Sequence, residues 1–261
     1  MKPLFFGEAE RRLYGVYHPP AKASRHAVLL CYPGMQEYNA AHWMFRRLAM
    51  SLAREGHHVL RFDYFGTGDS DGESDMTTPE SAVADVHTAI RELRDLSRAR
   101  DVSLVGLRFG AACAALACSG GFSARQLVLW EPVINGRDYV RELETLDERR
   151  NLVLLHAART RGRRDELLGF PFLEQARAGT EAIDLTTGPP VKSRRAVVLT
   201  SEERDEHRAL RDRYERSGVP TELRTVQESD EVEGPRVRER PMLSNAVLLE
   251  LARELRGSLT G

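Results

Sequence analysis

The segment from Ser103 to Ala111 constrains the fold more than any other part of the chain. An apolar run leads into a five-residue stretch bounded by Gly106 and Gly110, and an alanine-rich run follows. This order predicts a β-strand, a tight turn and an α-helix, because glycine permits the backbone conformations that a sharp turn needs. Arg108 lies at the centre of the turn, so the turn would present a cation where the helix begins.

Apolar runs of strand length alternate with helical patterns along most of the chain. This alternation predicts an α/β fold with a mostly parallel, doubly wound sheet. An antiparallel pair at residues 4–7 and 11–17 is expected to precede it. The predicted strands are residues 26–31, 58–62, 126–130, 195–200 and 222–226, and the predicted helices are residues 40–55, 79–97, 204–217 and 242–255.

Residues 135–190 interrupt this alternation. The segment is rich in charge and shows no clear strand, and helices are predicted around residues 137–157 and 172–183. It lies between one strand of the sheet and the next, where a cap over a binding pocket is commonly inserted. We therefore expect one α/β core formed by residues 1–134 and 191–261, with residues 135–190 as a cap.

Composition excludes several classes of function. The formal net charge of −1 argues against a general nucleic-acid binder or a protein that binds anionic membranes. No stretch approaches the roughly 18 apolar residues that a membrane span needs, and the start of the chain lacks the apolar core of a secretion signal. Three cysteines do not form an even set of disulfides, which favours reduced, buried thiols. A cytoplasmic location is the expectation.

The sequence predicts neither a cofactor nor a metal. Gly66 and Gly68 have no third glycine at the spacing of a dinucleotide-binding turn. Histidines and carboxylates do not cluster at the spacing of metal ligands either, and the His57–His58 pair fits the start of a strand.

Several motifs resemble those of a known superfamily. The loop at Pro33-Gly34, the segment from Phe62 to Ser70 and the turn from Gly106 to Gly110 resemble the α/β-hydrolase superfamily, in its serine-aminopeptidase-like branch. The closer likeness is to exosortase A system-associated hydrolase 2 type proteins and their relatives in biosynthetic gene clusters. That likeness rests on Gly106-Leu107-Arg108, Leu129-Trp130-Glu131-Pro132-Val133 and Gly169-Phe170-Pro171. It implies an α/β-hydrolase fold with an inserted cap.

The sequence departs from the superfamily at the positions of the catalytic triad. In the superfamily, this triad runs serine, then aspartate or glutamate, then histidine along the chain. Arg108 stands in the serine position, and Ser201-Glu202-Glu203 lies near the usual position of the acid. The last histidine of the sequence is His207, so no imidazole follows the last predicted strand. We therefore do not expect ordinary serine hydrolysis.

Four residues are candidates for chemistry at this turn. Arg108 would hold a carboxylate or phosphate at a helix N-terminus, or it would pair with an internal acid such as Glu131 or Asp63. Glu131 directly follows a predicted strand and is a candidate acid or base. Glu37 and His42 lie on or just after the loop that in the superfamily supplies an oxyanion-binding N–H, although a histidine on a helix face is more often a surface or packing residue.

Residues near the ends of the predicted strands are candidates for substrate binding. Asp63 has an alternative structural role, because a turn at Gly66 and Gly68 needs short polar side chains to satisfy its backbone. The substrate-binding candidates are Gly34, Met35, Tyr38, Asp63, Tyr64, Leu107, Phe109 and Trp130.

The leading hypothesis is a hydrolase-fold protein that binds a small anionic or acyl-type metabolite of a biosynthetic pathway. Catalysis would then use acid–base or positioning chemistry without a serine nucleophile. One alternative is a catalytically silent protein that binds a partner enzyme of its pathway. Another is a hydrolase with a displaced nucleophile, for which Cys31 is the candidate thiol.

Overall fold

The computed structural model describes residues 1–22, 24–154, 165–226 and 245–256, and its centre is an eight-stranded sheet. The strand order is β1-β2-β4-β3-β5-β7-β11-β12. β1 and β2 are antiparallel to each other, β2 is antiparallel to β4, and the remaining pairs are parallel. The strands of this sheet are β1 (Lys2–Glu8), β2 (Arg11–His18), β3 (His26–Cys31), β4 (His58–Phe62), β5 (Asp101–Leu107), β7 (Leu127–Trp130), β11 (Ala196–Thr200) and β12 (Thr221–Thr225).

Two pairs of two-residue strands lie outside the main sheet. They are β6 (Ser123–Ala124) with β10 (Lys192–Ser193), and β8 (Glu166–Leu167) with β9 (Phe170–Pro171). The sequence did not predict β8 and β9, because two residues are too short to show an alternating pattern.

Helices connect the parallel strands and cover both faces of the sheet. The chain moves in one direction along the sheet from β3 to β4 and in the opposite direction from β4 to β5, so right-handed crossovers place their helices on opposite faces. The helices are α1 (Met35–Glu55), α2 (Pro79–Ser97), α3 (Phe109–Ser119), α4 (Gly136–Leu154), α5 (Glu174–Glu181), α6 (Asp205–Arg216) and α7 (Asn245–Arg256). None of the described helices is long and apolar enough to cross a membrane.

These elements confirm the predicted α/β sheet. The bounds of β3, β4 and α2 are those predicted, and α2 begins with Thr78 as N-cap and proline in its first turn. α1 starts at Met35, five residues earlier than predicted, because Gly34 forms its N-cap with extended backbone. Glu37 and Tyr38 therefore lie on the first turn of a helix. The predicted positions 155–157 and 242–244 lie outside the described residues.

The register of the parallel strands brings three loops together. Cys31 at the end of β3 pairs with Gly106 of β5, and Leu107 of β5 pairs with Trp130 of β7. The residues that follow these strands therefore meet at the carboxyl edge of the sheet, where open α/β sheets bind ligands. Between β7 and β11, residues 135–154 and 165–190, called here the inserted segment, contribute α4, β8, β9 and α5.

Candidate functional site

Three of the five described non-glycine residues with a positive φ angle lie at the carboxyl edge of the sheet. Met35, Arg108 and Glu131 have φ angles of 50°, 52° and 42°, and each follows the end of a different parallel strand. Non-glycine residues rarely adopt such angles, and they are typically found where surrounding structure holds a site in place. The strain thus marks the loops after β3, β5 and β7 as the candidate site.

The turn between β5 and α3 has the geometry expected from its two glycines. A Cβ atom on Gly106 would lie 2.4 Å from the carbonyl oxygen of Gly110, and one on Gly110 would lie 2.2 Å from that of Tyr32. Neither position accepts a side chain without moving backbone. Arg108, at φ 52° and ψ −116°, is the N-cap residue of α3 and projects from the top of the turn.

Arg108 is buried and its guanidinium is held by two carboxylates. Its Nε donates to Glu37 at 3.0 Å and its Nη2 donates to Glu142 of α4 at 2.8 Å. The Tyr139 hydroxyl donates to the other oxygen of Glu37 at 3.2 Å, and the guanidinium carbon lies 5.0 Å from the centre of the Tyr139 ring. These four residues, Arg108, Glu37, Tyr139 and Glu142, form what we call the elbow cluster.

Burial and charge oppose each other in the elbow cluster. Burial raises the pKa of the Glu37 carboxyl, and the neighbouring Arg108 only partly offsets this effect. For Arg108, burial alone would lower the pKa, but Glu37, Tyr139 and Glu142 together raise it. The guanidinium therefore remains a cation.

The elbow cluster corrects the expected pairing of Arg108. Glu131 and Asp63 were the expected internal acids, whereas the observed partners are Glu37 and Glu142. Arg108 is 7% exposed, so a ligand anion would have to displace carboxylates already in place. The geometry supports a structural ion pair more strongly than an anion-binding site.

A cavity of about 260 Å³ lies beside the elbow cluster. Its walls come from the loops after β3 and β4, the start of α3 and the inserted segment. Among the described residues that line it, none is arginine, lysine, aspartate or glutamate. The lining residues are Pro33, Gly34, Met35, Tyr38, Asn39, Tyr64, Gly66, Thr67, Gly68, Ser74, Thr77, Pro79, Phe109, Tyr139, Phe170, Pro171, Phe172, Ala176 and Thr180.

The family follows from a match over more than half of the chain. Residues 23–166 match the model of the serine aminopeptidase family S33. The chain belongs to this family. No curated protein matches the chain.

Solved structures agree on the fold. Est1E from Butyrivibrio proteoclasticus is similar with a TM-score of 0.71 and 12% identity over 100% of both chains. A complex of Est1E with ferulic acid has a TM-score of 0.68 and 12% identity, covering 97% of this chain and 96% of the other. The esterase Pf2001 from Pyrococcus furiosus has a TM-score of 0.66 and 16% identity, covering 99% and 91%. These likenesses show the α/β-hydrolase fold.

Five of the predicted substrate-binding residues of this S33 family member line the cavity. They are Gly34, Met35, Tyr38, Tyr64 and Phe109.

Three other candidates lie behind the cavity wall. Asp63 is buried and accepts hydrogen bonds from the Tyr38 hydroxyl at 2.8 Å and the Asp69 N–H at 3.0 Å. Burial raises the pKa of Asp63, and the two donors partly offset the rise. Leu107 and Trp130 are buried in the core and are not among the residues that line the cavity, and their contact with substrate stays a prediction.

Glu131 and His42 also lie away from the cavity. Glu131 accepts from the Ser201 N–H at 2.5 Å and from the Thr200 hydroxyl at 3.4 Å, so it joins the ends of β7 and β11. His42 is exposed on α1, with its ring stacked near Tyr32 at 5.9 Å. In the described structure the ion-pair partners of Arg108 are Glu37 and Glu142, and neither Glu131 nor His42 lines the cavity, so an acid–base role for them gains no support.

Cys31 is unsuited to act as a nucleophile. It is fully buried, and burial raises the pKa of its thiol well above the ordinary value. A reactive cysteine needs access and a lowered pKa. The structure therefore contradicts the displaced-nucleophile hypothesis for this residue.

Sequence reasoning missed the contribution of the inserted segment. Tyr139 and Glu142 are three residues apart on α4 and so share a helix face, which was a usable signal. Phe170 and Pro171 lie in the Gly-Phe-Pro motif that carried the resemblance, but its place in the cavity wall could not be derived from spacing.

Proposed function

We propose that this hydrolase-fold protein binds a small, uncharged acyl-type molecule in the cavity and does not use a serine nucleophile. The observation that carries the proposal is Arg108 at the centre of the turn, with its charge neutralised by Glu37 and Glu142. A charged and occupied side chain there leaves no nucleophile where an acyl carbonyl would sit.

The histidine nearest the end of the sequence supports the same conclusion. His207 is buried at the start of α6, where its Nδ1 accepts from the Arg204 N–H at 3.1 Å. This contact caps the helix. Because no histidine follows His207 in the sequence, the family's usual base has no counterpart there.

The cavity wall favours an acyl group over a charged one. Tyr64, Phe109, Phe170 and Phe172 supply aromatic surface, and no lining residue carries a formal charge in the described part of the chain. The N-termini of α1 and α3 begin at Met35 and Phe109, both on the wall, and unpaired backbone N–H groups at helix starts suit a carbonyl oxygen. The resemblance to biosynthetic-cluster hydrolases supports a pathway metabolite as the ligand.

Ferulic acid and its methyl ester are suitable probes, because one solved structure of the same fold is a complex with ferulic acid. Calorimetry should show that methyl ferulate binds and that ionised ferulic acid binds more weakly. A serine-reactive fluorophosphonate should not label the protein, and p-nitrophenyl butyrate should not be hydrolysed.

Two tryptophan variants on α5 locate the binding. Ala176→Trp places an indole at a lining position and should abolish methyl ferulate binding, whereas Ala178→Trp lies on the exposed side of the same helix and should leave it unchanged. Equal binding by both variants would contradict the cavity as the site. Labelling by the fluorophosphonate would contradict the loss of serine chemistry.

A further inference from the structure

The hydroxyl groups around the cavity share an unusual property. Of the seven hydroxyl-bearing lining residues in the described part of the chain, six donate their proton to a protein acceptor. A hydroxyl has one proton to give and two lone pairs with which to accept. The donors and acceptors are Tyr38 to Asp63, Tyr64 to the Tyr32 carbonyl, Thr67 to the Tyr64 carbonyl, Thr77 to the Phe65 carbonyl, Tyr139 to Glu37 and Thr180 to the Ala176 carbonyl.

These internal hydrogen bonds make the hydroxyls of the wall acceptors. A ligand carboxylate or ether offers them no proton, so its oxygen would face lone pairs. A ligand hydroxyl does offer one. The side chains thus complement the backbone N–H groups at the starts of α1 and α3, which suit a carbonyl.

Tyr38 and Tyr139 both donate to carboxylates, Tyr38 to Asp63 at 2.8 Å and Tyr139 to Glu37 at 3.2 Å. A hydrogen bond to an ionised partner polarises the donor oxygen. Because Glu37 is also paired with the Arg108 cation, it polarises its tyrosine less, and Tyr38 is the stronger acceptor. Asp63 is 4% exposed and accepts at its other oxygen from Asp69, so its position is fixed.

Gly68 packs directly against the Tyr38–Asp63 pair. A Cβ atom on Gly68 would lie 2.2 Å from Asp63 Oδ2 and 2.7 Å from the Tyr38 hydroxyl oxygen. Gly68 itself lines the cavity, as does Tyr38. Glycine at position 68 therefore allows the Tyr38–Asp63 pair to form at the cavity wall.

We propose that Tyr38, backed by Asp63, selects ligands that carry a hydroxyl group, which donates its hydrogen bond to Tyr38 Oη. The ligand class is an uncharged molecule with an apolar or aromatic body and a free hydroxyl. This inference rests on the proposed function, because it requires that the cavity bind a ligand at all.

The test compares two probes that differ in one donor. p-Nitrophenol carries a hydroxyl whose ionisation is visible in its absorption spectrum, and p-nitroanisole has the same ring with a methyl ether. Calorimetry should show that p-nitrophenol binds the wild-type protein about five- to tenfold more tightly, which is the effect of one hydrogen bond. Its bound spectrum should be that of the neutral phenol at a pH where part of the free probe is ionised.

Two tyrosine variants separate recognition from structure. Tyr38→Phe should bind both probes with the affinity that the wild type has for p-nitroanisole. Tyr64→Phe is the matched control, since it also removes a cavity hydroxyl but one that bonds to a backbone carbonyl at 3.2 Å, and it should keep most of the preference. Circular dichroism should show both variants folded.

The outcomes distinguish the two proposals. Equal binding of the two probes by the wild type, or an unchanged preference in Tyr38→Phe, would overturn the role of Tyr38 while cavity binding stands. A bound spectrum of the phenolate would overturn it as well. If neither probe nor methyl ferulate binds, or if Ala176→Trp binds them as the wild type does, the proposed function fails and the selection of hydroxyls fails with it.

Discussion

Tyr139 belongs to both the elbow cluster and the cavity wall, but the two regions differ in charge. In the cluster, one guanidinium is packed against two carboxylates, with Arg108 and Glu37 buried and Glu142 partly exposed. The cavity wall has no formally charged side chain among its described residues, and two of its tyrosines donate to carboxylates behind the wall, Tyr38 to Asp63 and Tyr139 to Glu37. Charge is therefore used to hold structure at the turn, and uncharged polar groups are left to face a ligand.

This difference teaches how the fold accommodates an arginine at the centre of the turn. Burying the Arg108 guanidinium without a partner would cost free energy, so an arginine at this position needs carboxylates beside it. Those carboxylates come from α1 of the core and α4 of the inserted segment. The elbow cluster thus fixes the inserted segment to the core and helps to shape the cavity.

Removing the cation should produce the largest effect. Arg108→Met leaves Glu37 buried beside Glu142 without a cation, and the free energy of unfolding should fall by about 3–5 kcal/mol in urea titrations. Glu37→Gln should cost less, because the amide oxygen still accepts from Arg108. The double variant Arg108→Met/Glu37→Gln should be more stable than Arg108→Met alone by about 1–2 kcal/mol. Additive losses would contradict an ion pair that holds the turn.

Forcing a side chain against the Tyr38–Asp63 pair should have the next largest effect. Gly68→Ala combines a φ of +55° with a Cβ atom 2.2 Å from Asp63, so it should cost about 2–4 kcal/mol and abolish p-nitrophenol binding. Gly188→Ala is the matched control, since its φ is +74° but nothing lies within 4 Å of the added Cβ. It should cost about 1 kcal/mol and leave binding intact. Equal losses would show that backbone strain alone accounts for Gly68.

The fold was largely predictable from local signals. Apolar runs bounded by turn residues located β3 and β4, and the proline after Thr78 located the start of α2. The tight turn at Gly106 to Gly110 followed from its two glycines. Such signals act within a few residues of the chain, so one sequence contains them.

The partners of Arg108 could not be predicted, for a physical reason. Glu37 is 71 residues away and Glu142 is 34 residues away, and their meeting depends on how the inserted segment folds over the sheet. The hydrogen-bond partners of the cavity hydroxyls could not be predicted either, because they depend on which acceptors the folded chain brings within reach. Glu131 was a reasonable candidate by position, but its carboxylate points to the end of β11.

The two buried carboxylates should respond to pH in the same direction. Burial raises the pKa of Glu37 above its usual 4.5 and also raises that of Asp63, so the folded state binds protons more readily than the unfolded state. Their contributions are most favourable below the ordinary pKa and decline as pH rises through the raised value. As pH rises from 4 to 8, the free energy of unfolding of the wild type should therefore fall relative to that of Glu37→Gln and of Asp63→Asn. This change should be smaller than the loss expected for Arg108→Met. If the variants instead became more stable relative to the wild type as pH falls, the pKa values of Glu37 and Asp63 would be lowered by folding and not raised.

Adjacent residues of α4 give the smallest and most local comparison. Glu142 holds Arg108 inside the elbow cluster, whereas Arg141 pairs with Asp138 where both side chains are more than half exposed. Glu142→Gln should cost about 1 kcal/mol, because a buried guanidinium loses a charged acceptor. Arg141→Gln should change the free energy of unfolding by less than about 0.5 kcal/mol, since water screens an exposed pair. If the two variants lost equal stability, the ion pairs of α4 would act through helix formation alone. The elbow cluster would then not be what attaches the inserted segment to the core.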